Sequence, residues 1–374
     1  MVQLMAGVLL ITKKIETRPA GGRELLCKLN RDCLKDIFGE DLHILELDGR
    51  PLTGVCSFIG AFRGHIDGLN SAVIAEAVRQ IRTNRIGLAF VDGSNLGEVA
   101  AALRKDAPGV SIITFFHNVE SRFFLGSLMA SPSLRALVVM VVNYLGERKA
   151  VRCSDRLIAL NRRDSDFLRS IYGRSADYIA PMSLEDKLPQ ATGGQVDCAR
   201  IRKEKYILFV GGAFYANRLG AAWFIKHVVP HIGIRTIIVG KGLEVLRHDG
   251  DPNAKIEVIG EVQNLAEWYL DAHLVVAPIF DGSGMKTKVA EALMFGKKVV
   301  GAPEAFSGYE DVAEKVGWIC ATADDFIETL NRLEHAALPR FDHEVRALFE
   351  RRYSYEAARA RLAHALEAAS HAAN

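Results

Sequence analysis

The stretch Asp281-Gly282-Ser283-Gly284-Met285-Lys286-Thr287-Lys288 sets glycines directly ahead of two lysines, and Val289-Ala290-Glu291-Ala292-Leu293-Met294-Phe295 behind them favours a helix. Glycines let backbone N–H groups approach an anion, and a helix N-terminus adds unpaired donors and partial positive charge. A pyrophosphate fits that combination. Lysines in a first turn oppose the helix dipole, a cost that an anionic ligand offsets; the plain alternative is a pair of solvated lysines on a surface helix. Glu291 falls one turn further in, among apolar neighbours, so its carboxylate needs partners, either ribose hydroxyls or Lys288 at i,i+3 spacing.

A weaker pattern of the same kind is Gly211-Gly212-Ala213-Phe214-Tyr215-Ala216-Asn217, where paired glycines can approach an anion and Asn217 can cap the next helix. A Gly-Gly turn needs no ligand, and that alternative stays open. Asp164-Ser165-Asp166 has the spacing of a metal-binding DxD but opens an expected helix, where acidic caps are ordinary. His227 and His231 stand at i,i+4, yet Pro230 ends the helix between them and no third ligand is near. The six cysteines contain no CxxC pair, so neither zinc spacing nor a disulfide framework is expected. Metal ligands are therefore expected to be none.

The elements that carry these loops alternate between short apolar runs and amphipathic stretches, the pattern of an α/β protein with parallel sheets. Strands are expected at residues 7–12, 42–47, 86–91, 111–116, 156–160 and 176–180, with helices at 22–38, 69–82, 97–106 and 163–172. A second series of strands follows at 206–210, 236–240, 256–260, 274–278, 298–301 and 317–320. Little periodicity and ample turn chemistry after Pro181 mark a linker. The expected organisation is a first doubly wound domain over 1–181, a linker over 182–204, a second over 205–345, and a helical segment over 346–374 returning toward the first. In doubly wound sheets ligands sit at the carboxyl ends of strands, where both glycine loops lie.

A net charge of +2, from 47 Lys and Arg against 45 Asp and Glu, gives no reason to expect nucleic acid as a partner. Basic residues outnumber acidic ones in residues 1–181 and are outnumbered beyond, so the first domain is the basic one. Apolar runs fall short of a bilayer span and the N-terminus lacks an export signal's pattern, which makes a cytoplasmic protein the expectation. Leu134 to Leu145, flanked by Arg135, Arg148 and Lys149, reads either as a core helix or as a segment on an anionic membrane surface; its contiguous apolar residues favour the core.

Taken together, GSGMKTKVAEALMFGKKVV, VGGAFYANRLGAAWF and IGEVQNLAEWYLDAHLVVAPI resemble the retaining glycosyltransferases of family 4, the group 1 glycosyltransferases. The resemblance extends to Phe115-Phe116-His117-Asn118-Val119-Glu120, to residues 147–160, and to the glycine turn at Pro19-Ala20-Gly21-Gly22-Arg23. It implies the GT-B fold: two Rossmann-like domains facing each other across a cleft. It also implies transfer of a sugar from a nucleotide diphosphate-sugar to a glycan or lipid-linked acceptor with retention of configuration. The setting implied is bacterial surface polysaccharide biosynthesis, in the cytoplasm with possible peripheral contact of the basic domain at the inner membrane face.

Residue by residue, the resemblance makes His117, Lys286 and Glu291 the catalytic set. Glu291 binds the ribose, Lys286 and the N–H groups of Ser283, Gly284 and Met285 bind the diphosphate, and His117 bonds the donor sugar. Gly21 and Gly22 close on the phosphates, while Gly211, Gly212, Asn217, Asp281 and Lys288 complete the donor site. No cofactor is implied, since the nucleotide-sugar is a substrate. The chain departs from the family pattern at Ser283, where many members have a sugar-contacting glutamate, and at Gly212 and Asn217, where many have Arg and Lys; Lys288 and Arg218 are the candidate replacements. Two alternatives remain: a nucleotide-sugar epimerase of the same fold, and a silent glycosyltransferase-like binding subunit.

Overall fold

The computed structural model describes residues 7–15, 21–49, 55–188, 205–248, 255–282 and 284–371. The chain divides into two compact units, one of Met1–Pro181 with Tyr355–Asn374, the other of Met182–Ser354.

In the first unit β1 (Val8–Lys13), β2 (Leu42–Leu47), β3 (Leu88–Asp92), β4 (Ser111–Phe116), β5 (Arg156–Ala159) and β6 (Tyr178–Ile179) form one parallel sheet in the order β2-β1-β3-β4-β5-β6. Val8 to Ile11 and Leu88 to Val91 are wholly buried, as expected of central strands covered by helices on both faces. Those helices are α1 (Gly22–Phe38), α2 (Val55–Phe62), α3 (Ser71–Asn84), α4 (Gly97–Asp106), α5 (Glu120–Ala130), α6 (Leu134–Cys153) and α7 (Arg162–Tyr172).

Two of these, α2 and α5, are absent from the sequence reading. Leu134 to Leu145 proves to be the front of the 20-residue helix α6. It is not a core helix throughout: its front half stands half-buried or exposed, and its rear half, from Val142 to Val151, carries the buried positions. There α6 crosses the start of α4 so closely that a Cβ on Gly97 would lie 1.9 Å from the Gly146 carbonyl oxygen. Asp164 belongs to a cap: Asn161 accepts the Asp164 N–H at 2.7 Å and donates to Oδ2 at 2.9 Å.

The second unit has β7 (Tyr206–Val210), β8 (Arg235–Val239), β9 (Ile256–Gly260), β10 (Leu274–Ala277), β11 (Val299–Gly301) and β12 (Gly317–Ile319), parallel in the order β12-β11-β10-β7-β8-β9. Its helices are α8 (Tyr215–His227), α9 (Ala266–Asp271), α10 (Thr287–Met294), α11 (Ala313–Val316), α12 (Ala323–His335) and α13 (His343–Arg352). Pro230 falls in a short 3-10 turn after α8, and His227 and His231 are both exposed.

Of the stretch read as linker, residues 189–204 lie outside the described residues, whereas 182–188 pack within the second unit. Leu184 N–H donates to the Tyr353 carbonyl at 2.8 Å, and Arg346 pairs with Asp186. The last helix, α14 (Tyr355–His371), belongs to the first unit, where the Tyr355 hydroxyl donates to Asp36 on α1 at 2.7 Å.

Candidate functional site

In the second unit the chemistry gathers at the carboxyl ends of β7 and β10. Their neighbourhood is tight: a Cβ on Gly220 of α8 would come within 2.0 Å of the Pro278 carbonyl. After β10 the loop turns through Asp281, whose Oδ1 accepts the Gly282 N–H at 2.8 Å and whose Oδ2 accepts the Tyr215 hydroxyl at 3.0 Å. Gly284 follows at φ +64°, a backbone conformation that side chains disfavour. Ser283 lies outside the described residues. Met285 is buried, and its sulfur accepts the Met182 N–H at 3.2 Å.

The two lysines of this loop differ sharply. Lys286 stands at the N-cap of α10 and donates to Glu304 at 2.8 Å and to the Gly284 carbonyl at 3.1 Å. Its charge, expected from the sequence to await a phosphate, is matched by a carboxylate that the sequence reading missed. Lys288 is 8% exposed; its ammonium donates to Asn217 Oδ1 at 2.6 Å and lies 4.6 Å from the centre of the Phe209 ring. Among the described residues no carboxylate pairs with it. Burial, aided by repulsion from Lys286 and opposed by the Glu291 charge, brings its pKa down to about 7.

Asn217 is not a helix cap: α8 starts at Tyr215 with Phe214 as its cap residue, and the Asn217 amide donates to the Gly212 carbonyl at 3.1 Å. It sits over Gly211, where a Cβ would meet it at 2.9 Å, while Gly212 is open on its outer side. Arg218 is exposed. Glu291 is half-buried and accepts the hydroxyl of the buried Tyr269 at 2.8 Å, with burial pushing its carboxyl above the usual range. Tyr269 is fixed by stacking on Phe295 at 5.3 Å. The Lys288 ammonium bonds Asn217 and makes no close ion pair with Glu291, although the two charges still act on each other at i,i+3 spacing.

The first unit holds a separate cluster at the carboxyl ends of β1, β3 and β4. His117 is buried, and its Nε2 donates to Asp92 at 2.9 Å. Asp92 also accepts from Asn30 at 2.8 Å and Thr12 at 2.7 Å. Burial opposes the Asp92 charge, but His117 and these donors together hold its carboxyl below the usual carboxylate range. Cys27 Sγ lies 3.9 Å from His117 Nε2, its thiol pushed up by burial. Donor atoms of Cys27, Asp92 and His117 fall within 4.8 Å of one another, a possible metal-ligand set that sequence spacing did not reveal.

Beside this cluster Gly21, at φ +108°, leads into Gly22, the first residue of α1. Arg23 then donates to Asp67 at 2.6 Å, and Asn95 donates to the same oxygen. Glu120 is buried, and burial, opposed by Arg23 and reinforced by Glu147 and Asp67, pushes its carboxyl up to about 7. Glu147, buried on α6, accepts the Glu120 and Ser121 N–H groups at 2.7 and 3.0 Å and so caps α5 from another helix. The one signal that pointed to Asp92 and Asn95 was their place just at and beyond the end of β3.

Residues 204–335 match the family model described as glycosyl transferases group 1. No curated protein sequence matches the chain significantly. Among solved structures it is similar to HepE from Anabaena in complex with UDP, at 15% identity and TM-score 0.65 over 97% of this chain and 100% of that one. It is also similar to sucrose-phosphate synthase from Thermosynechococcus elongatus, at 14% identity and TM-score 0.69 over 98% and 100% of the two chains. The UDP-forming α,α-trehalose-phosphate synthase from Burkholderia vietnamiensis gives 14% identity and TM-score 0.64 over 99% of each. These likenesses, with the two six-stranded parallel sheets, establish the GT-B fold with its two Rossmann-like domains.

Proposed function

We propose that the chain is a glycosyltransferase that moves a sugar from a nucleotide diphosphate-sugar to a glycan or lipid-linked acceptor with retention of configuration, in the manner of family 4. The observation that carries the reading is Lys288: a buried ammonium at the start of α10, among the described residues unpaired with any carboxylate, beside loops that expose backbone to an anion. A diphosphate supplies the counter-charge that Glu291 provides only in part. Glu291, oriented by Tyr269, is positioned to accept ribose hydroxyls. His117, held by Asp92, contributes a hydrogen bond to the transferred sugar.

Transfer builds negative charge on the departing diphosphate and positive charge on the sugar ring. Lys288, the α10 N-terminus and loop N–H groups stabilise the first; this is fixed electrostatic stabilisation, which needs no rearrangement as the bond breaks. Lys286, shared with Glu304, contributes at the edge of the same site. The solved neighbours include HepE bound to UDP and to UDP-glucose, so uridine nucleotides are the first probes. Surface polysaccharide assembly is the setting we assign.

Calorimetry with UDP on wild type and Glu291→Gln tests the reading. Gln keeps an acceptor for the Tyr269 hydroxyl, so the fold is retained. Loss of a charged acceptor for ribose should weaken binding by ~1.5–3 kcal/mol. Equal affinity in both proteins overturns the ribose assignment, and failure of UDP, GDP and other nucleoside diphosphates alike to bind overturns the proposed activity.

A further inference from the structure

The carboxyl ends of β1, β3 and β4 bring three different metal-ligating side chains to one point. Cys27 comes from α1, Asp92 closes β3 and His117 follows β4, and all three are buried. Among the described residues no other group of three or more histidine, cysteine, aspartate or glutamate side chains converges so closely. The buried Asp92 carboxylate is satisfied without Cys27, since His117, Asn30 and Thr12 all donate to it. The thiol adds little to that network, because it is a weak donor and its Sγ stands 3.9 Å from Nε2. What the three groups share is the power to ligate a metal: thiolate, imidazole and carboxylate are the ligand types of zinc.

The distances suit that ion. Zinc–ligand bonds of about 2.0–2.3 Å at tetrahedral angles set neighbouring donor atoms about 3.3–3.6 Å apart. Here Nε2 lies 2.9 Å from the Asp92 oxygen and 3.9 Å from Sγ, so shifts of about 0.4 Å reach the tetrahedral spacing. The ion takes the place of the Nε2 proton between His117 and Asp92, and the Asn30 and Thr12 bonds stay to orient the carboxylate, as ligating carboxylates require. Burial holds the Cys27 thiol protonated, and a coordinated zinc ion displaces that proton to solvent. Magnesium and manganese, which prefer oxygen ligands throughout, are poorly matched to sulfur and nitrogen.

We infer that Cys27, Asp92 and His117 form a binding site for a zinc-class divalent cation, and that the bound ion inhibits sugar transfer. The inhibition, unlike the binding, rests on the function proposed above. Zinc brings two positive charges and the new thiolate one negative charge, so the site becomes one unit more positive beside the sugar on which transfer itself builds positive charge. The ion also takes the His117 nitrogen that Asp92 now holds. It acts as an inhibitor and not as a cofactor.

Cobalt(II) titration of the full chain, kept reduced with a phosphine, tests the site without donor or acceptor, because cobalt takes the place of zinc and a cobalt–thiolate bond absorbs in the near ultraviolet. Wild type should show that band at one cobalt per chain; zinc should abolish it, and excess magnesium should not. Cys27→Ser should lose the band and weaken zinc binding, measured against a chromophoric chelator, by more than ~100-fold. His117→Gln, which alters a second ligand on another element, should weaken zinc binding to a similar extent, so the result does not depend on how well one variant folds. Cys153→Ser, a change at a less buried cysteine, should leave the band and the affinity as they are. Wild type without the band, a band that survives in Cys27→Ser, or one that disappears in Cys153→Ser overturns the site. In the transfer assay zinc should slow wild type at least ~10-fold and EDTA should restore it. Zinc that fills the site and leaves transfer at full rate overturns the inhibition, whereas a chain that binds cobalt as described and binds no nucleotide keeps the site and loses the proposed function.

Discussion

Lys288 offers the most informative single perturbation. In the protein its ammonium bonds Asn217 and faces the Phe209 ring, and burial with repulsion from Lys286, offset in part by the Glu291 charge, lowers its pKa from 10.5 to about 7. At ~1.4 kcal/mol per pH unit, that fall is an unfavourable contribution of up to roughly 5 kcal/mol. Between these two values the unfolded chain holds a proton that the folded protein has released. Stability therefore rises with pH through the window from about 7 to 10.5 and bears the full cost below it. Lys288→Met removes the charge but keeps most of the volume, at the loss of one hydrogen bond and one cation–π contact worth ~1–3 kcal/mol together.

Urea denaturation should accordingly find the variant more stable than wild type near pH 7, with the gap shrinking toward pH 10 as the wild-type amine loses its proton. Nucleotide binding should show the reverse side of the same effect. A bound diphosphate restores the ammonium, so UDP binding to wild type at about pH 8.5 should take up close to one proton, measurable by calorimetry in buffers of different ionisation heat. The variant should bind weakly and take up none. A stability gap that does not change with pH, or UDP binding by wild type without proton uptake, would refute the reasoning.

Lys286→Ala should reduce nucleotide affinity less than Lys288→Met, because Glu304 already matches the Lys286 charge; the opposite order in the same calorimetric series would move the diphosphate to Lys286. Asp92→Asn can keep its bonds to His117, Asn30 and Thr12 if the Thr12 hydroxyl turns from donor to acceptor, so it removes charge alone. Because the native carboxyl is held low, wild type should exceed this variant in stability at neutral pH and lose that advantage on acidification through the carboxylate range, as chemical denaturation at two pH values would show. Transfer activity should survive excess EDTA, since Lys288 and the α10 N-terminus supply positive charge to the leaving group; loss restored by magnesium or manganese would contradict that.

The strands were legible because central parallel strands are buried on both faces and read as continuous apolar runs, such as Val8 to Ile11 and Tyr206 to Val210. Helices with their own caps were legible too: Asn70 caps α3 and Asn161 holds α7. What escaped were α2 and α5. The N-terminal N–H groups of α5 are satisfied by Glu147, 27 residues away on another helix, so no local cap announces where α5 begins. Over residues 134–145 a continuous apolar run suggested burial, but its front half lies on an open surface, because hydrophobicity alone does not fix which apolar side chains are buried.

The same division between local and distant governs the site. The glycine loop, the helix behind it and Glu291 lie within one short stretch, and their combination was readable as a candidate anion site with a nearby carboxylate. The charge state of each group was not, because it is set from afar: Glu304 lies 18 residues from Lys286, Asn217 lies 71 from Lys288, and Asp92 lies 25 from His117. In the sequence Lys286 and Lys288 look interchangeable, two ammonium groups two residues apart at the start of a helix. The first falls at the helix cap, where it reaches Glu304. The second, two residues on, is directed into the protein toward Phe209 and Asn217, where desolvation makes its charge costly. A rim of solvated lysines would bind phosphate weakly and lose it to salt; on the proposed reading, a buried one makes the ligand part of the charge balance of the fold.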